Sequence, residues 1–317
     1  MAQNFAHRAV MTAEVLAAVQ PRPGGRYADG TIGGAGHAAA ILAASSPNGW
    51  LFGCDRDGAA VEAATRRLAE FAGRFEVRQG NFVELAQWVP PGSCDAVLLD
   101  LGVSSPQLDV PERGFSFQQE GPLDMRMDSS QPLTAAGLLN TAGAEALAKI
   151  FWEFGGEQDA RRFARAIVHD REQRRFETTL QLAGLIERLA PRRGKKSHPA
   201  TKVFQALRIA VNDEIGSLKL GLEEALKILK SGGRLAVITF HSLEDRIVKD
   251  FGRVRARDYT FTGGVDVPEL REPRAPEVKL VTRKAIKPGA AELDANPRSR
   301  SAQLRVLEKL GSSSQCE

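Results

Sequence analysis

Asp29-Gly30-Thr31-Ile32-Gly33-Gly34-Ala35-Gly36-His37 is the stretch that decides the fold of this chain. A short strand-like run, 26–29, precedes it, and an alanine-rich helical stretch, 37–45, follows it. Glycines between a strand and a helix permit positive φ and let backbone amides approach a ligand. Outward from this turn the pattern repeats. Residues 50–54 read as a second strand, 57–71 as a helix, 75–78 as a third strand and 96–101 as a fourth. Val97-Leu98-Leu99 is apolar without alternation, as in strands covered on both faces of a parallel sheet. Such strand–helix alternation predicts a doubly wound, Rossmann-like α/β sheet with right-handed crossovers.

The alternation then stops. Residues 106–202 carry helical periodicity, with amphipathic helices expected at 144–154, 157–169 and 178–189. A long helix over 200–229, closed by Ser231-Gly232-Gly233, returns to the α/β pattern. A strand at 235–240, a basic loop region and strands near 279–285 and 303–308 complete the chain. The expected organisation is a core in two parts, 1–105 and 203–317, split by an inserted all-α domain at 106–202.

Composition narrows the class. The 317 residues include 43 Lys plus Arg and 39 Asp plus Glu, near globular averages. No stretch approaches the ~20 apolar residues of a membrane span, so no membrane association is expected. Residues 1–20 contain Arg8 and Glu14 and no continuous apolar run, which does not read as a secretory signal. Cys54, Cys94 and Cys316 read as reduced thiols of a cytoplasmic protein. With His37, His169 and His198 they form no metal-ligand spacing, and no metal is expected.

The net charge of +4 is uneven along the chain. Residues 106–160 hold three basic and nine acidic residues, a net −6. Residues 161–202 hold twelve basic and four acidic, a net +8. Arg192-Arg193-Gly194-Lys195-Lys196 is the densest cluster. It reads either as a solvated loop or as a phosphate-contacting surface.

The glycine turn fits two ligand classes. Gly34-Ala35-Gly36-His37-Ala38-Ala39 matches the dinucleotide form G-x-G-x-x-A, with Asp55 about twenty residues on, so a nicotinamide-dependent oxidoreductase is a rival. Asp29 argues against it, because a carboxylate beside the turn would repel a pyrophosphate. S-adenosylmethionine has no phosphate and carries an ammonium and a sulfonium, which a carboxylate suits. Asp55 can accept both ribose hydroxyls in either case, or cap the helix that follows. Phe82 reads as an adenine contact or as core. Asp100, ending an apolar strand, has little structural reason to be there.

Several strings together resemble one family. They are Asp29 to His37, Asp100-Leu101-Gly102-Val103-Ser104-Ser105-Pro106-Gln107-Leu108-Asp109, Arg113-Gly114-Phe115-Ser116-Phe117, Gly121-Pro122-Leu123-Asp124-Met125-Arg126-Met127, Thr239-Phe240-His241-Ser242-Leu243-Glu244-Asp245-Arg246 and Asn296-Pro297-Arg298-Ser299-Arg300-Ser301. In order and over nearly the whole chain, they look like the RsmH (MraW) family of bacterial cytosine-N4 methyltransferases acting on 16S ribosomal RNA. The resemblance implies a class I S-adenosylmethionine-dependent methyltransferase fold. It implies S-adenosylmethionine as donor, and a cytidine in the decoding region of the small ribosomal subunit as acceptor.

By motif position, the resemblance sets the donor at Ala35, Gly36, His37, Asp55, Phe82, Asp100 and Gln107, and the turn's own residues Asp29 and Gly33 join them as donor-site candidates. The family often has a further glycine where this chain has Ala35. Ser104-Ser105-Pro106-Gln107 lies where amino-methyltransferases hold their acceptor, without the usual second proline and aromatic. Phe115 and Phe117 are candidate stacking platforms or packing residues. Arg192, Arg193, Lys195 and Lys196 are candidate RNA contacts. His241 could face the acceptor or be structural, and no catalytic base is assigned. A non-catalytic RNA-binding protein is the second rival, and oligomerisation is left open.

Overall fold

The computed structural model describes residues 9–192, 198–262 and 264–311. The chain divides into two compact units, Met1–Gly102 with Ser217–Glu317, and Val103–Gly216. The first unit begins with α1 (Thr12–Val19), β1 (Arg26–Asp29), α2 (Gly36–Ala44), β2 (Trp50–Asp55), α3 (Gly58–Arg67), β3 (Phe75–Gln79), α4 (Leu85–Trp88) and β4 (Cys94–Asp100). The second holds α5 (Ser105–Asp109), α6 (Ala135–Thr141), α7 (Ala144–Gly155), α8 (Ala160–Gln173), α9 (Thr179–Leu189) and α10 (Thr201–Val211). The chain returns through α11 (Glu214–Ile228) to β5 (Leu229–Thr239), α12 (Ser242–Arg255), β6 (Tyr259–Phe261), β7 (Arg271–Pro273), β8 (Val278–Leu280), α13 (Ala290–Ala295) and β9 (Gln303–Lys309).

In the first unit, seven strands run in the order β3-β2-β1-β4-β5-β9-β8. β1 to β5 are parallel, and β9 is antiparallel to both β5 and β8. This is the class I methyltransferase arrangement that the resemblance implies. The apolar run in β4 is explained by its two faces. Leu98 joins a core cluster with Tyr27, Ile41, Leu51 and Ile238, whereas Val97 and Leu99 join another with Phe52, Leu222, Val237 and Val248. Strand order reverses between β1 and β4, and ligands of open α/β sheets bind at the carboxyl ends beside such a switch. Among the described residues, no helix is long and apolar enough to cross a membrane.

The second unit is helical around its own core, which includes Leu147, Phe151, Phe163, Ile167, Ile186, Phe204 and Leu207. Its limits differ from the expected 106–202 because α10 packs on α7 and belongs to it. The single helix expected over 200–229 is two helices. Asp213 takes a left-handed φ of 44°, and the buried Asn212 side chain bonds Met127 N–H (2.8 Å) and Met125 C=O (2.8 Å). The second helix also ends earlier than expected, at Ile228. Ser231-Gly232-Gly233 lies inside β5, where pairing with β4 overrides the local turn signal.

Candidate active site

Three carboxylates end three neighbouring strands. Asp29 closes β1, Asp55 closes β2 and Asp100 closes β4. The glycine turn is tied to all three. Thr31 N–H donates to Asp29 Oδ1 (3.1 Å), Gly33 N–H to Asp55 Oδ2 (2.9 Å), and Asp100 N–H to Thr31 Oγ1 (2.6 Å). Ala35 N–H bonds the Ile32 carbonyl (2.7 Å). Gly33 (φ 49°) and Ala35 (φ 57°) are both left-handed, and Ala35 is a non-glycine residue held there at the start of α2. Thr31 was not singled out from sequence. Its bond to Asp100 spans 69 residues and leaves no local signal.

Asp57, not Asp55, caps α3, accepting from Ala59 N–H (3.1 Å). The capping alternative for Asp55 is thereby removed. Both Asp55 oxygens are oriented by backbone, Oδ2 by Gly33 and Oδ1 by Asp57 N–H (2.9 Å). Burial pushes the Asp55 carboxyl up to about 6 against those two bonds. Asp29, 1% exposed, is pushed by burial up to about 7.

His37, in the first turn of α2, sets Nε2 3.5 Å from Asp100 Oδ2. Burial disfavours its charge, but Asp100 and Asp29 outweigh that and raise its pKa. Among the described residues, both His37 ring nitrogens and Asp100 Oδ1 are buried without a hydrogen-bond partner, which is costly unless a ligand supplies one.

The raised carboxyl groups have a thermodynamic consequence. A carboxyl whose folded pKa lies above its unfolded value contributes stability below about pH 4 that is lost as pH rises through about 7. His37 has the same sign, since its pKa is also raised. Asp29→Asn should therefore stabilise the protein above pH 7 by about 1–2 kcal/mol, after discounting the amide's unpaired N–H. The advantage should vanish near pH 4. Thermal melts of both proteins from pH 4 to 8 check this, and parallel curves would contradict it.

Other sequence candidates turn out differently. Phe82 is 8% exposed and its ring packs on α11, where a Cβ at Gly221 would come within 2.2 Å of it. The ring thus contributes to the core of this unit. His241 caps α12, with Nδ1 accepting from Glu244 N–H (3.4 Å), while Glu244 Oε2 accepts from Phe240 N–H (2.9 Å). The Nδ1 lone pair is thus used in capping, and Nε2 lies 3.2 Å from Glu244 Oε1, which favours the structural reading of His241. The spacing His241-x-x-Glu244 was the available signal, masked by histidine standing where Ser or Thr is usual.

In the helical unit, Ser104 and Gln107 form a capping box around Ser105, and Ser104 N–H donates to Gln107 Oε1 (3.0 Å). Gln107 is 5% exposed, so its side chain serves α5. Phe115 is buried, and Phe117 lies between the rings of His198 (4.6 Å) and Phe204 (4.7 Å). Both rings pack in the small helical core, Phe115 fully and Phe117 in part. Arg192 is exposed and pairs with Glu187 (3.1 Å). Arg193, Lys195 and Lys196 lie outside the described residues.

Comparison with known proteins adds an independent finding. A family model described as the MraW methylase family matches residues 4–310. Relatives named ribosomal RNA small subunit methyltransferase H are similar end to end. That of Citrifermentans bemidjiense is 51% identical over 313 residues, 97% of this chain and 100% of that protein. That of Geobacter sulfurreducens is 51% identical over 312 residues, with the same shares. That of Symbiobacterium thermophilum is 49% identical over 311 residues, 96% of this chain and 97% of that protein.

Proposed function

The chain belongs to the MraW methylase family, and from that premise we propose that it transfers a methyl group from S-adenosylmethionine to N4 of a cytidine in the decoding region of 16S ribosomal RNA. The observation that carries this reading is the acidic sheet edge, with Asp29, Asp55 and Asp100 on three adjacent strand ends. A pyrophosphate needs free amides and no nearby carboxylate. Here Thr31, Gly33 and Ala35 have their amides committed to Asp29, Asp55 and the Ile32 carbonyl. That arrangement disfavours a nicotinamide dinucleotide and suits a cationic sulfonium donor.

The residues fit that donor. Asp55 would accept the ribose hydroxyls, and Asp29 and Asp100 would face its positive groups. His37 Nε2 lies 3.5 Å from the Asp100 carboxylate. When bound, S-adenosylmethionine supplies an electrophilic methyl. The protein's part is to exclude water and to orient the acceptor amine, whose lone pair is delocalised into the ring. Calorimetry that finds S-adenosylmethionine binding and no NAD binding supports this reading. The reverse result would sink it.

N4 is favoured over ring carbon C5, because C5 methylation uses a cysteine thiolate. Burial pushes the Cys54 thiol well up and Cys94 up to about 11, so neither is a ready nucleophile. Cys316 lies outside the described residues.

The helical unit, Val103–Gly216, is assigned to RNA recognition on its basic stretch. Arg161, Arg162 and Arg165 are exposed along α8, upstream of Arg192. Neutralising Arg192, Arg193, Lys195 and Lys196 should lower RNA affinity about tenfold or more at 0.1 M salt and flatten its salt dependence, because fewer counterions are released. Donor affinity should stay unchanged. Wild-type RNA affinity and salt slope in that variant would make the cluster only a solvated loop.

A further inference from the structure

The core unit carries a basic rim of its own. After β8, the chain stays against β9. Val306 N–H donates to Thr282 Oγ1 (2.9 Å), and Ile286 and Leu304 exchange two backbone bonds of 2.9 Å each. Register fixes where this lies. Asp100 is opposite Ile238, Ile238 is opposite Leu304, and Leu304 is opposite Ile286. Ile286 therefore stands level with Asp100, three strand spacings or about 14 Å along the sheet.

The segment that follows is pinned to the same edge. Glu292 of α13 accepts Met11 N–H (3.2 Å), just before α1. Ser299 is fully buried and bonds the Asn296 carbonyl (2.7 Å), leaving Arg298 and Arg300 exposed on either side.

Exposed positive charge collects here. Arg283, Lys284, Lys287, Arg298 and Arg300 are all exposed. Among the described residues, Arg283, Lys284, Lys287 and Arg300 make no ion pair. Other arginines of this unit carry carboxylate partners. Arg255 and Arg274 pair with Glu277, and Arg257 and Arg271 pair with Asp266. Four unpaired cations on one anchored segment, beside an acidic strand-end cluster, separate two ligand chemistries. The carboxylates suit the cationic donor, and the rim suits polyanionic phosphate.

We infer that residues 283–300 form a phosphate-binding rim of the core unit, gripping the RNA backbone that flanks the target nucleotide. This rests on the proposed RNA methyltransferase function. RNA affinity then has a share that belongs to the core unit itself, separate from the helical unit's basic stretch.

The test is a salt titration of binding to a naked small-subunit RNA fragment, using the full chain with Arg283→Gln, Lys284→Gln, Lys287→Gln and Arg300→Gln combined. The salt slope should lose about three units, and affinity at 0.1 M salt should fall about 10- to 100-fold. Lys284→Gln with Lys287→Gln should lose about half of that slope. Arg283→Lys with Arg300→Lys should keep it. S-adenosylmethionine affinity should stay within about twofold throughout. An unchanged slope in the fourfold variant, with wild type binding and methylating the RNA, overturns the rim alone. A loss seen only with assembled subunits, and not with naked RNA, would also overturn it by pointing to a protein partner. Failure of wild type to bind the RNA fragment overturns the rim, and only failure to methylate assembled small subunits as well would overturn the functional reading.

Discussion

Asp55→Ala is expected to weaken S-adenosylmethionine binding by about 1–3 kcal/mol, roughly 5- to 150-fold, the cost of losing a charge-assisted pair of hydrogen bonds. The carboxylate is already aimed by Gly33 and Asp57 amides at 2.9 Å each, and each oxygen retains capacity for one ribose hydroxyl. Asp55→Asn should also bind weakly, because its NH₂ cannot accept from one of those two amides. Asp57→Ala is the control. It removes a helix cap at a cost of about 1 kcal/mol of stability and should leave donor affinity nearly unchanged. Calorimetry on the three folded variants checks this, and wild-type affinity in Asp55→Ala would remove the centre of the site.

A larger loss, in stability rather than binding, is expected at Asp245. Its carboxylate takes a bidentate pair from Arg305 (2.6 and 3.0 Å), joining α12 to β9. Arg305 is only 9% exposed. Asp245→Ala would strand a buried guanidinium, at a cost of about 3–5 kcal/mol. Asp245→Leu with Arg305→Met should recover most of that, since an apolar pair of similar volume removes the uncompensated charge. Urea unfolding of the single and double variants decides it. A loss under about 1 kcal/mol in Asp245→Ala would mean that the pair is solvated and contributes little.

Phe240 to Arg246 illustrates how far the sequence could be read. In sequence, His241 follows an expected strand and reads as facing the acceptor or as structural. In the structure, His241 and Glu244 cap α12, and Asp245 holds β9. The motif's polar residues are there for folding as much as for chemistry. Phe115 and Phe117 follow the same logic, since an aromatic on a glycine-rich loop reads alike whether it meets a base or a core.

The parallel sheet was legible because burial on both faces leaves a direct trace in Val97-Leu98-Leu99. The carboxylates Asp29, Asp55 and Asp100 were legible because charge at the end of an apolar strand needs a reason. The break at Asn212 was not, since α10 and α11 continue one helical periodicity. Only the distant loop at Met125 to Met127 explains it. Glu292 was equally hidden, because its partner Met11 is 281 positions away.

The atom that receives the methyl group decides the mechanism. The direct measurement is to incubate the protein with labelled S-adenosylmethionine and small ribosomal subunits lacking the modification, then digest the RNA to nucleosides for mass spectrometry. The account predicts N4-methylcytidine at one decoding-region position, with turnover largely kept in a folded variant lacking Cys54, Cys94 and Cys316. Detection of 5-methylcytidine, or loss of turnover in that folded cysteine-free protein, would contradict it.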